Sequence, residues 1–266
     1  MKTYFIKLII LGILCWLYVR HNQTTASSAF IVDGTQAALG QFPWHVLLRR
    51  DAQDELLGAG SIIANKWVLT AAHCVYGRSF VHLEFGTVNL YFDGLIMNST
   101  KFYIYPQYNH RYLTDDIALI ELPEELTFDQ NINAIELVSS IYVSNDFVNE
   151  IGIVTGFGWP SNQANNFSEW LLWGNVEVIS NEDCAREFDE NIIENTAMCT
   201  IGYAGSDITP CKGDSGGALV WENQYGKLVQ IGVASFAKVN RCSEFPAAYA
   251  RVTSFLVYIH NITGLY

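Results

Sequence analysis

The sequence predicts an all-β protein, a sandwich or barrel that ends in one short helix. Two observations carry this. Short β-prone runs at residues 41–48, 60–63 and 67–70 follow one another with only turn residues and polar stretches between them, and no long helical pattern intervenes. At the other end, Val252, Phe255, Leu256, Ile259 and Ile262 recur at helical spacing, which predicts a C-terminal helix packed on the body. The chain has 266 residues, half of them hydrophobic and 14% aromatic. That is enough for a large core in one or two domains and argues against extensive disorder.

The first thirty residues read as a targeting segment. Lys2 and Lys7 precede an uncharged apolar run over residues 8–19, and small and polar residues follow. The run is short for a membrane span and suits a secretory signal peptide over residues 1–26, its end falling between 26 and 29. An uncleaved signal anchor is the competing reading. Sequons at Asn98, Asn166 and Asn261 agree with secretion as a glycoprotein. All 27 acidic residues lie beyond residue 30, whereas Lys2, Lys7 and Arg20 lie before it. The remainder therefore carries 12 basic against 27 acidic residues, a charge of −15. Such a surface excludes nucleic acid and anionic membrane as natural partners.

The chemistry concentrates at Cys211-Lys-Gly-Asp-Ser-Gly-Gly217. Glycines around Ser215 permit a tight turn that aims the N–H groups of Gly213 and Ser215 into one space beside the hydroxyl. That arrangement suits an oxyanion. A serine hydroxyl still needs a base and an orienting acid. The same residues fit the nucleophile-elbow pattern, whose acid and histidine follow the serine. Only 51 residues follow Ser215, with no Asp among them and His260 as the one His. The partners are therefore expected upstream, in the order His, Asp, Ser. A glycine-rich turn with an incidental serine is the bland alternative.

Taken in order, Phe30-Ile-Val-Asp-Gly34 is by itself an ordinary strand start. Thr70-Ala-Ala-His-Cys74 ends a strand with His73, a residue type whose pKa suits a serine's base. Asp115-Asp-Ile-Ala-Leu-Ile-Glu-Leu122 is a strand whose start carries two carboxylates. Together these stretches and Gly213-Asp-Ser-Gly-Gly217 resemble the chymotrypsin-like serine proteases over residues 31–266. The resemblance implies two packed six-stranded antiparallel β-barrels with a short C-terminal helix. It implies a catalytic triad of His73, Asp116 and Ser215, the register against Ile117 selecting Asp116 over Asp115, and an oxyanion hole from Gly213 and Ser215. It also implies a propeptide over residues 27–30, cut after Phe30 to free Ile31 for an ion pair with Asp214. Phe30 departs from the Arg or Lys of many family zymogens. Val154-Thr-Gly-Phe-Gly-Trp159 resembles the family's glycine-flanked aromatic turn, with Phe157 where Trp is commoner.

The same resemblance pairs Cys184 with Cys199 and Cys211 with Cys242. It leaves Cys74 unpaired, because Gly58 stands where the family has cysteine. Cys74 is then a buried thiol or an intermolecular link. The primary pocket would have Thr209 at its base and Ala237 and Ala247 on its walls, with Ser235 and Phe236 on the strand that binds substrate main chain. Without an acidic base the pocket suits apolar residues such as Leu, Met or Phe. Lys212 would favour acidic residues on the leaving-group side. No cofactor or metal is implied: Thr87 follows Gly86 where calcium-binding members place Glu. The expected partners are protein or peptide substrates and protein inhibitors, and the expected state is a secreted monomer with no stable membrane association. A catalytically silent homologue acting as a binding or regulatory cofactor is the alternative.

Overall fold

The computed structural model describes residues 31–50, 56–91, 94–188 and 192–265. The targeting segment, the propeptide and the Phe30 cut lie outside the described residues. The chain builds two mainly antiparallel sheets. After β1 (Thr35–Gln36) come β2 (His45–Arg49), β3 (Leu56–Ala64), β4 (Trp67–Thr70), β5 (Val81–Phe85), β6 (Leu95–Ser99), β7 (Lys101–Ile104) and β8 (Ala118–Glu121). From β2 on they form one sheet, in the order β6-β5-β2-β3-β4-β8-β7. Its two edge strands are successive pieces of chain with only Thr100 between them. The sheet therefore curls until its edges meet through the chain itself, with no hydrogen-bonded ladder closing it.

The second half contributes β9 (Glu136–Leu137), β10 (Ile151–Gly156), β11 (Leu172–Ile179), β12 (Ala197–Gly202), β13 (Ala218–Glu222), β14 (Leu228–Phe236) and β15 (Ala247–Arg251). Here β10, β11, β12, β15, β14 and β13 pair in a closed ring of six. β1 is appended to β11, and β9 runs parallel to β14. β11 shows why these residues choose a barrel wall: Leu172, Gly174, Val176 and Val178 point inward and are buried, while the residues between them are half-exposed. The two-barrel plan that the resemblance implies is present as one closed barrel of six strands and one half-barrel sheet of seven.

Three α-helices stand among the described residues: α1 (Ala72–Val75), α2 (Asn181–Glu187) and α3 (Val252–Thr263). Ser180 caps α2 by accepting the N–H of Asp183. α3 runs one residue beyond the expected Ile262, to Thr263, and Gly264 ends it in the left-handed conformation. The strand expected over 41–48 starts only at His45, since Pro43 has no N–H to give a ladder. β8 starts two residues after Asp116, because Asp115 takes a left-handed φ of 54° that a ladder does not accept. His73 sits on α1, past the end of β4 rather than within it.

The two sheets meet across an interface with a few buried polar crossings. Ser61 of β3 donates to Gln230 Oε1 of β14 at 2.7 Å, and Gln230 Nε2 donates to the Gly232 carbonyl at 3.0 Å. Both side chains are fully buried. His45 Nδ1 and Thr155 Oγ1 form a second crossing at 2.9 Å. α3 ties the halves from outside, since Tyr258 donates to the Tyr103 carbonyl of β7. Ser61→Ala leaves Gln230 Oε1 buried without its donor. We expect denaturant unfolding to show a loss of about 1–3 kcal/mol, with the slope of the transition unchanged.

Candidate active site

The site lies where α1, the turn before β8 and the loop before β13 converge on the end of β14. Asp116 is the anchor, with only 1% of its surface exposed. Its Oδ1 accepts the backbone N–H of His73 at 2.9 Å and its Oδ2 accepts His73 Nδ1 at 2.6 Å. From the other sheet, Ser235 Oγ donates to the same Oδ2 at 2.5 Å. These contacts fix the ring's orientation and its tautomer, with the proton on Nδ1. Burial alone would lower the imidazole's pKa. The Cys74 sulfur and the Asp116 carboxylate outweigh it and hold the ring well above its ordinary 6.5.

The loop carrying Ser215 is held against the first sheet. Ala59 donates its N–H to the Ser215 carbonyl at 2.7 Å. Gly216 has a φ of +86°, and a Cβ there would strike the Ala59 carbonyl and the Thr70 hydroxyl, so this approach requires glycine. The disulfide between Cys211 and Cys242 secures the other flank, and a second joins Cys184 to Cys199. Among the described residues no acceptor takes the N–H of Gly213 or Ser215. Ser215 Oγ lies 3.4 Å from the Ser235 carbonyl, and His73 Nε2 lies 3.6 Å from Cys74 Sγ. Both catalytic candidates line one cleft of about 460 Å³, but the hydrogen bond between hydroxyl and base is not formed.

Beside it, Ser215, Ser235, Phe236, Ala237 and Ala247 help line a cavity of only about 20 Å³. That is roughly the room one water needs. Thr209 is buried and bridged to Val32, and it is not among the residues lining this cavity. Lys212 lines the larger cleft and lies 4.9 Å from the Trp159 ring centre. No group of three or more His, Cys, Asp or Glu among the described residues is placed to hold a metal ion. No helix among them is long and apolar enough to cross a membrane.

Asp214 borders the small cavity rather than the larger cleft and is 1% exposed. It accepts the N–H groups of Gly158 at 2.7 Å and Cys211 at 2.9 Å, and among the described residues no cation pairs with it. Ile31 is fully buried, and in the intact chain its nitrogen is a peptide nitrogen. Burial pushes the Asp214 carboxyl from 3.8 up to about 7, although both N–H donors favour the charged form.

Sequence reasoning missed two contributors. The Ser235 hydroxyl on Asp116 joins positions 119 apart and has no local signature. Phe167 packs against Gly213, where a Cβ would meet its ring at 2.8 Å.

The family model for trypsin matches residues 31–259. A collagenase of Hypoderma lineatum is 34% identical over 238 residues, covering 88% of each chain. A brachyurin of Leptuca pugilator is 33% identical, covering 88% of this chain and 99% of that one. The solved structure of HL collagenase superposes with a TM-score of 0.77 at 33% identity, over 88% of this chain and 99% of the other.

The buried Asp214 gives the intact chain a specific pH dependence. Its folded pKa lies above its unfolded value, so the folded state holds a proton that the unfolded state releases between pH 3.8 and about 7. Stability therefore falls as pH rises through that window. We expect Asp214→Asn to flatten this fall and to raise the melting temperature above pH 7 relative to the unsubstituted intact chain. An identical pH profile in the two proteins would refute the assignment.

Proposed function

The chain belongs to the trypsin family of serine endopeptidases, and from that premise we propose that it is a secreted zymogen whose Ser215, His73 and Asp116 form the hydrolytic triad. The observation that carries the reading is a buried carboxylate that orients an imidazole lining the same cleft as a serine, beside N–H groups that meet no acceptor among the described residues. In this mechanism Ser215 attacks the peptide carbonyl as His73 takes its proton. His73 then returns the proton to the leaving amine, while Asp116 holds the tautomer and stabilises the imidazolium. The N–H groups of Gly213 and Ser215 receive the oxyanion. Water repeats the sequence on the acyl-enzyme.

Residues 1–26 serve as the signal peptide and 27–30 as the propeptide. Cleavage after Phe30 gives Ile31 an ammonium group, whose pairing with Asp214 lowers that carboxyl and removes the cost of burying it charged. The sequons at Asn98, Asn166 and Asn261 become glycan sites during export. The cavity between Ala237 and Ala247 is small and has no free charge at its wall other than Asp214. The alanine walls support a preference for uncharged apolar residues such as Leu, Met or Phe before the cut, graded by about 1–3 kcal/mol per methylene. Lys212 beside Gly213 favours acidic residues on the leaving-group side. One relative is named a collagenase, so collagen belongs among the substrates tried.

The test is a fluorogenic peptide panel on the secreted protein, with N-terminal sequencing to verify a free Ile31. We expect cleavage after Leu, Met or Phe, lowered by about 10⁴- to 10⁶-fold in Ser215→Ala. Cleavage chiefly after Arg or Lys would overturn the pocket assignment. No cleavage despite a free Ile31 would favour a silent homologue acting as a regulatory cofactor. The pH profile is a separate check. The base must be neutral and its pKa is held above 6.5, so kcat/KM should fall as pH drops through a limb lying above that value.

A further inference from the structure

The mechanism above leaves the cysteine beside the base without a task. Cys74 is unbonded and 2% exposed. Gly58 faces it, and a Cβ there would lie 2.9 Å from Sγ. With no side chain at that position, the sulfur stands between two groups of the site, 3.6 Å from His73 Nε2 and 3.6 Å from the Ser215 carbonyl oxygen. Since Nδ1 is engaged by Asp116, Nε2 is the ring's remaining polar atom. The Ser215 hydroxyl leaves it vacant by turning to the Ser235 carbonyl.

We propose that Cys74 is a positioning residue for the base: in the resting protein its sulfur occupies the Nε2 face of His73 and links it to the Ser215 carbonyl, so the Ser215 hydroxyl must displace it to react. The proposal rests on the triad reading of this site. A thiol has one proton and accepts weakly. When the ring is protonated, Nε2–H donates to the sulfur while S–H donates to the Ser215 carbonyl. When the ring is neutral, S–H turns to Nε2, and the carbonyl keeps the Ala59 N–H. The first arrangement satisfies one more hydrogen-bonding group than the second, so the sulfur favours the charged, inactive ring.

The other groups facing the ring are accounted for. Asp116 binds it through Nδ1, and the Tyr108 hydroxyl lies near enough to feel both Asp116 and Cys74. Arg78 donates to the Cys74 carbonyl at 2.8 Å, and Arg50 and Lys212 line the cleft around it. Replacing the Cys74 side chain removes none of these charges.

The experiment compares Cys74→Ala, Cys74→Ser and Cys74→Val in the mature enzyme. It reads the acid limb of kcat/KM and, in a Ser215→Ala background, the NMR titration of His73. We expect Ala and Val each to move the limb and the titration down by about one pH unit, roughly tenfold in neutral base below the limb. Ser, which keeps a donor and an acceptor, should retain most of the original position. Val fills the space, so it reports on hydrogen bonding even if Ala proves too unstable to purify. Altered melting temperatures with an unmoved titration in all variants would reduce Cys74 to packing and overturn the proposal. Because the titration needs no turnover, that failure is distinct from failure of the protease reading, which would appear as activity surviving Ser215→Ala.

Discussion

The site depends on one buried carboxylate. Stripping Asp116 of water is costly unless every lone pair it exposes to protein is met. Two of its three donors belong to a single residue, His73, so the backbone and the ring are fixed together. The third, Ser235, comes from the opposite sheet. The base is therefore aligned only when the two sheets are docked. The crossings elsewhere along the interface, Ser61 to Gln230 and His45 to Thr155, maintain the register on which a contact of about 2.5 Å relies.

Around that anchor the nucleophile loop divides its backbone between two duties. The Ser215 carbonyl is tied to Ala59, and the Gly216 N–H to the Ala234 carbonyl, so the loop bridges both sheets. The N–H groups of Gly213 and Ser215 are left with no acceptor among the described residues. Donors left spare beside a tethered carbonyl are what an oxyanion site would need, which is why the proposed mechanism gives them that task.

Much of this was legible in the sequence, for identifiable reasons. β4 matches its expected span residue by residue because Trp67-Val-Leu-Thr70 is short, apolar and bounded by polar residues. α3 was visible through its spacing. α2 was not, because seven residues around a Cys carry too little periodicity. The order of strands and the meeting of edges at Thr100 are properties of long-range pairing, which no local pattern encodes. In the site, residues inside local motifs were identifiable, whereas the Ser235 hydroxyl and the Cys74 sulfur act across the fold. Of the pocket residues that the resemblance implied, Ala237 and Ala247 line the small cavity and Thr209 does not, a matter of strand packing that spacing in the sequence does not encode.

Both disulfides belong to the second half of the molecule, one bracing α2 against β12 and the other the nucleophile loop. Among the described residues the first half has none, and its one described cysteine is a thiol. The halves therefore mature on different clocks. The half carrying His73 and Asp116, which emerges first during synthesis, has no disulfide among its described residues to wait for. The half carrying the nucleophile waits on thiol oxidation. A reducing environment would then slacken the loop carrying Ser215 and, through Ser235 on the same half, the contact that orients His73. The alignment of the proposed site is thereby tied to the redox state of its surroundings through one barrel alone.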